Sequence, residues 1–234
     1  MSSRAIICGS GLLDSPLFSR GTGGTVSTEY GEVRFLRVGG AFLFQRHGLD
    51  AFSPPHAINF RALIAAAADL GAKEIFSFCS VGSLRLSLPP GSLVIPDDVF
   101  CPWRRETFFG ARGVYFTIPS VSSALMDVLE ELLRARGFDY HRGGTYCQTI
   151  GPTFETRAEI RFLQSVGDVV GMTAAQEVFL ASELEIPIAL LCSCDNYANG
   201  VVEETLRFET VEKTAARNRS RLEAIIEDLC AGKP

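Results

Sequence analysis

A chain of 234 residues, 47% of them hydrophobic, carries enough apolar material for one sizeable core, and its length favours a single domain over residues 1–234. A net charge of −5 excludes a general nucleic-acid binder, whose partner's phosphate backbone demands a basic surface, while a small anion needs only a few local donors. The longest apolar runs, such as residues 186–192, are too short to cross a bilayer, no signal-peptide pattern follows Met1-Ser2-Ser3-Arg4, and most of the seven cysteines sit in apolar stretches, so a cytoplasmic protein with reduced thiols and no membrane contact is expected.

In chain order, residues 5–8 form a short apolar run read as a buried strand, ended by Gly9-Ser10-Gly11. Residues 21–30 are glycine-rich and polar and read as a loop. Two β-rich runs follow, 33–38 and 41–45, and the Gly39-Gly40 link between them is a hairpin signal. Pro54-Pro55 ends the next loop, and residues 58–70 have helical composition with Gly71 as the stop. Residues 74–79 and 93–100 read as strands. Leu125, Val128, Leu129 and Leu132 fall on one helical face, between Pro119-Ser120 and Gly137. Strands are expected at 145–150, 169–172 and 188–193, with helices at 156–166 and 175–184 between them. The helical spacing returns at Leu222, Ile225, Ile226 and Leu229. Strands alternating with helices, without linker or repeat, give an α/β fold: a single domain with a central, mostly parallel mixed sheet flanked by helices.

In such folds ligands gather at the loops beyond the carboxyl ends of the strands. The polar segments there are Gly9-Ser10-Gly11, Arg46-His47-Gly48, Ser80-Val81-Gly82-Ser83, the loop at 151–156 and Gly171-Met172-Thr173, with Asp195-Asn196-Tyr197 after the last strand. Each taken alone is an ordinary turn or a satisfied polar group. Together they offer backbone N–H groups, hydroxyls and one guanidinium, which is what an oxyanion needs. Cys192-Ser-Cys194 is not read as a metal site: alternate residues lie along a strand with no second ligand pair in evidence.

Over nearly its whole length the chain resembles the trimeric nucleoside phosphorylases, which include purine nucleoside phosphorylase and methylthioadenosine phosphorylase. The most specific stretch is Gly151-Pro-Thr-Phe-Glu-Thr-Arg-Ala-Glu159, followed by Val170-Gly-Met-Thr173 and Glu177-Val178. Arg46-His47-Gly48, with Pro55 and Asn59-Phe60 downstream, looks like the methylthioadenosine branch, and Phe154-Glu155-Thr156 like the 6-oxopurine branch. The resemblance implies that Ser10, Arg46, His47, Ser80 and Thr173 surround phosphate, that Tyr146 and Met172 contact the ribose, and that Phe154 packs beside the purine. Glu155 and Asn196 would read the base edge, with Asp195 beside them as a further candidate catalytic group. It also implies a homotrimer, inorganic phosphate as co-substrate and no cofactor or metal.

The residue chemistry agrees with a 6-oxopurine, which carries a donor at N1–H and an acceptor at O6. Glu155 can accept from the first, and Asn196 can donate to the second and hydrogen-bond at N7. The chain departs from the family at Ala51, where the methylthioadenosine branch has a second His, at Leu63 in place of an Asn, at Cys79 and Ser80, where a Thr or Asn and an Ala are usual, and at Asp195, where a Thr is usual. After Asn196 the match is poor, and an apolar pocket involving Leu206 or Phe208 would suit a 5′-deoxy or methylthio sugar. Phosphorolysis of a 6-oxopurine nucleoside, or of its 5′-methylthio or 5′-deoxy form, is the leading expectation. The alternatives are a methylthioadenosine phosphorylase, a hydrolase on the same fold with Asp195 as general acid, and an inactive nucleoside-binding protein.

Overall fold

Strand β1 (Arg4–Cys8) takes a central place because both its faces are apolar: Ala5 and Ile7 enter one core cluster, Ile6 and Cys8 the other. The computed structural model describes residues 3–103, 105–110, 116–204 and 208–233, the side chains at 208–210 and 212 excepted. β1 is flanked on one side by the antiparallel run β2 (Thr22–Thr28), β3 (Gly31–Val38) and β4 (Ala41–Gln45), with β4 parallel to β1. On its other side lies the long strand β5 (Glu74–Ser83), also parallel.

β5 organises the rest of the sheet. Its first half pairs with β1, and its last two residues pair antiparallel with β10 (Val169–Gly171). β11 (Ile188–Tyr197) runs parallel along it from Ile75 to Ser83. Beyond β10 come β9 (Thr145–Gln148) and β7 (Asp98–Phe100), both parallel, while β6 (Leu93–Ile95) pairs antiparallel with β11 and parallel with the short β8 (His141–Arg142).

Helices cover both faces. α1 (Phe60–Asp69) and α4 (Ala174–Glu183) bury Leu63, Ile64, Val178 and Phe179 in one cluster. α2 (Ser123–Ala135) and α5 (Phe208–Cys230) bury Leu125, Leu129, Ile225 and Leu229 in the other. α3 (Arg157–Leu163) is short and starts at a capping box, in which Thr156 and Glu159 satisfy each other's backbone donors.

The α/β class, the hairpin at Gly39-Gly40 and the helices predicted from spacing all appear. Four expectations change. The polar stretch at 21–30 holds β2, because pairing with β3 satisfies its backbone whatever its composition. The run at 93–100 is divided into two strands. Ser80 to Ser83, read as a loop, continue β5, and Asp195 to Tyr197, read as following the last strand, continue β11. The two strands extend because each supplies the other's hydrogen bonds as far as Ser83 and Tyr197.

Candidate functional site

A cleft of about 400 Å³ opens at the carboxyl ends of β1, β4, β5, β10 and β11. Ser10, Arg46, His47, Ser80, Phe154, Glu155, Met172, Thr173 and Asn196 all line it, so chain positions nearly 190 residues apart meet in one cavity. Tyr146 and Asp195 do not line it.

Arg46 occupies one end. Its guanidinium has no exposed surface and donates to Thr173 Oγ1 at 2.6 Å, to Ser77 Oγ at 3.0 Å and to the Phe78 carbonyl at 2.7 Å. Glu177, equally buried on α4, lies 3.2 Å from it and accepts a 2.6 Å hydrogen bond from Ser77. Burial alone would drive both groups toward neutrality. It pushes Glu177 up to about 7 against the pull of Arg46, whereas for Arg46 burial is the largest single influence but is outweighed by Glu177 together with Cys79 and Tyr146, and the guanidinium stays charged. Thr173 accepts from Arg46, which leaves its own hydroxyl proton for the cleft. Cys79 also touches the guanidinium, and a hydrogen bond from Cys192, followed by Arg46 itself, draws its thiol below the ordinary range.

His47 stacks on Phe52, and its Nδ1 lies 2.9 Å from the Ser53 carbonyl. A carbonyl only accepts, so Nδ1 carries the proton and Nε2 is left as an acceptor. Burial lowers the ring to about 4, and it is neutral at neutral pH.

At the other end, Glu155 is buried and accepts a 2.5 Å bond from Thr149. Burial raises its carboxyl above the usual range, with Thr149 pulling the other way. The stabilising N-terminal carboxylate of α3 is Glu159, so Glu155 is free of that structural duty. Asn196 sits just past a β-bulge and gives one amide hydrogen to the Tyr197 carbonyl at 2.8 Å, keeping a second donor. Its amide has room because residue 82 is glycine: a Cβ there would stand 3.2 Å from Nδ2. Phe154 is half exposed at the mouth of the cleft.

The two expected site residues outside the cleft have other work. Tyr146 has no exposed surface, and its hydroxyl accepts from the Thr173 and Ala174 N–H groups at 3.2 Å, capping the start of α4. Asp195 is the extra residue of the bulge. Its carboxylate accepts from Ser80, from Ser193 at 2.5 Å and, more distantly, from Asn218 on α5. It borders a crevice of about 10 Å³, too small for a ligand. Burial raises its pKa, and its three donors oppose the shift.

Sequence reasoning gave no role to Glu177, Ser77, Phe52 or Asn218. Glu177 left a trace, since a carboxylate beside the apolar run 178–181 is out of place on a buried helix unless paired. Leu206 lies outside the described residues, as does the Phe208 side chain.

Comparison with known proteins gives a consistent picture. The model of the phosphorylase superfamily matches residues 3–231. The 6-oxopurine nucleoside phosphorylase of Pyrococcus furiosus is 39% identical, covering 88% of this chain and 84% of that one. A protein of Methanocaldococcus jannaschii described as a probable S-methyl-5′-thioinosine phosphorylase is 37% identical over 87% of this chain and 82% of its own. Among solved structures, methylthioadenosine phosphorylase from Schistosoma mansoni in complex with adenine superposes with a TM-score of 0.88 at 25% identity, covering 99% of this chain and 91% of that one.

Proposed function

This chain belongs to the phosphorylase superfamily, and from that premise we propose that it is a purine nucleoside phosphorylase, cleaving the glycosidic bond of a 6-oxopurine nucleoside with inorganic phosphate. One observation carries the reading: the Arg46–Thr173 group and the Glu155–Asn196 pair open onto the same cleft. An anion at the first end faces a base at the second across a gap lined by Met172.

In the proposed reaction the bond from C1′ to N9 lengthens and its electron pair leaves with the purine. The free donor of Asn196 stabilises the negative charge that develops over N7 and O6. Phosphate, held by Ser10, Arg46 and Thr173, attacks C1′ from the opposite face and forms the sugar 1-phosphate. Positioning and electrostatics supply the acceleration, with no covalent enzyme intermediate and no cofactor.

Glu155 sets the base preference. Its carboxylate accepts from N1–H of a 6-oxopurine but meets the lone pair of an adenine N1, a buried mismatch worth about a hundredfold in rate. The two relatives support this choice, since 6-oxopurine nucleosides and S-methyl-5′-thioinosine share the same base edge. A homotrimer and a cytoplasmic setting belong to the same reading, the latter supported by seven unpaired thiols. No described helix is long and apolar enough to cross a membrane.

The test is a panel of initial rates on inosine, guanosine, adenosine and their 5′-methylthio forms. Inosine-type substrates should exceed adenosine-type ones by about a hundredfold in kcat/KM. A preference for adenine nucleosides would refute the roles of Glu155 and Asn196.

A further inference from the structure

Ser80 and Asp195 are the two departures from the family pattern that touch each other. Ser80 on β5 lines both the cleft and the small crevice next to it, and Asp195 lines only the crevice. A serine hydroxyl has one proton. An ionised carboxylate has none, so in this hydrogen bond Ser80 must donate. Asp195 is held in the accepting role from its other side as well: Asn218 donates to Ser193 Oγ at 2.6 Å, and Ser193 donates to Asp195 at 2.5 Å. With its proton committed below, Ser80 Oγ can offer the cleft only lone pairs. His47, with Nδ1–H fixed on the Ser53 carbonyl, likewise keeps an acceptor at Nε2. Arg46 is paired with Glu177, so the anion end has no large excess of positive charge to override a mismatch.

We propose that Ser80, locked by Asp195, is a specificity-determining residue that accepts a hydrogen bond from the P–OH group of the bound oxyanion. This end of the cleft therefore selects a protonated tetrahedral anion, such as hydrogenphosphate or hydrogenarsenate, over a fully deprotonated one such as sulfate. The inference rests on the phosphorolysis reading for which anion is used, and it replaces the expected catalytic role of Asp195 with a positioning one. Bare sulfate oxygens facing Ser80 Oγ bring two acceptors together beside a buried carboxylate, whereas hydrogenphosphate supplies the missing proton. The resulting preference is about tenfold or more.

The experiment is direct binding of phosphate, arsenate and sulfate by calorimetry to the wild type, Ser80→Ala and Asp195→Asn, each first checked for a native circular dichroism spectrum. The wild type should bind phosphate and arsenate at least about tenfold more tightly than sulfate. In both variants that ratio should collapse toward one, with arsenate still following phosphate, because removing Ser80 Oγ or letting an amide donate to it ends the demand for a ligand proton. A phosphate-to-sulfate ratio unchanged in folded Ser80→Ala overturns the proposal even if Asp195→Asn fails to fold. An unchanged ratio together with lost discrimination against 2′-deoxyinosine would assign the Ser80 lone pair to the sugar, which also overturns it. Failure of the phosphorolysis reading is distinguishable, because nucleoside cleavage would then be indifferent to phosphate whatever the anion-binding ratio.

Discussion

In the proposed reaction Asn196 and Glu155 carry the base chemistry, and each has a variant that separates that role from mere packing. Asn196→Ala removes a donor needed where charge develops, so kcat on inosine should fall about a hundredfold or more while KM moves much less. Equal effects on both parameters would contradict a transition-state role. Glu155→Gln replaces an acceptor-only group by one that can donate to an adenine N1, and the inosine-to-adenosine ratio of kcat/KM should drop by about a hundredfold. Burial raises the Glu155 carboxyl, and the protonated form cannot accept from N1–H in the same way. Inosine cleavage should therefore decline on the acid side at a higher pH than an ordinary carboxylate would cause, and Glu155→Gln should abolish that limb. Most of these residues were legible in the sequence because a polar residue at the end of an apolar strand has few structural reasons to be there. Tyr146 and Asp195 were expected at the site and lie outside the cleft, because direction is not legible: two neighbours on a strand face opposite ways, and the bulge that turns Asp195 into the crevice is set by pairing with β5 rather than by its own sequence.

At the scale of elements, the turn after β4 is joined to α4 by the Arg46–Glu177 pair, and α4 is capped by Tyr146 on β9. Glu177→Ala would strand a buried guanidinium and should lower stability by about 3–5 kcal/mol in urea unfolding, with Glu177→Gln losing less. Retention of wild-type stability by Glu177→Ala would mean that Arg46 is solvated. Tyr146→Phe leaves the Thr173 and Ala174 N–H groups without their acceptor and should cost about 1–3 kcal/mol, with KM for the nucleoside nearly unchanged. A large rise in KM with full stability would restore Tyr146 to the sugar site. The helices were readable from apolar spacing, since each has one buried face or, for α4, nearly all faces buried. The ends of β5 and β11 were not, because Ser80 and Asn196 have loop-like chemistry and are held extended by partners more than 110 residues away.

For the molecule as a whole, Trp103, Ile150 and Phe154 are partly exposed around a shallow hollow beside the cleft, and Ile118 is exposed at 85%. Apolar groups at the rim of a site are natural contacts for a second subunit. The proposed trimer should sediment at about three times 25.4 kDa, and a monomer would leave these groups unexplained. Subunit number was beyond the reach of composition, since scattered aromatics declare themselves a patch only once the chain has folded. The convergence of Arg46 with Asn196, by contrast, followed from the rule that ligands sit at strand carboxyl ends. The most direct test is inosine cleavage assayed in phosphate-free buffer and again with phosphate restored, with the sugar product identified. The expected result is turnover only with phosphate, yielding ribose 1-phosphate; equal turnover without it, yielding free ribose, would contradict phosphorolysis and make the protein a hydrolase.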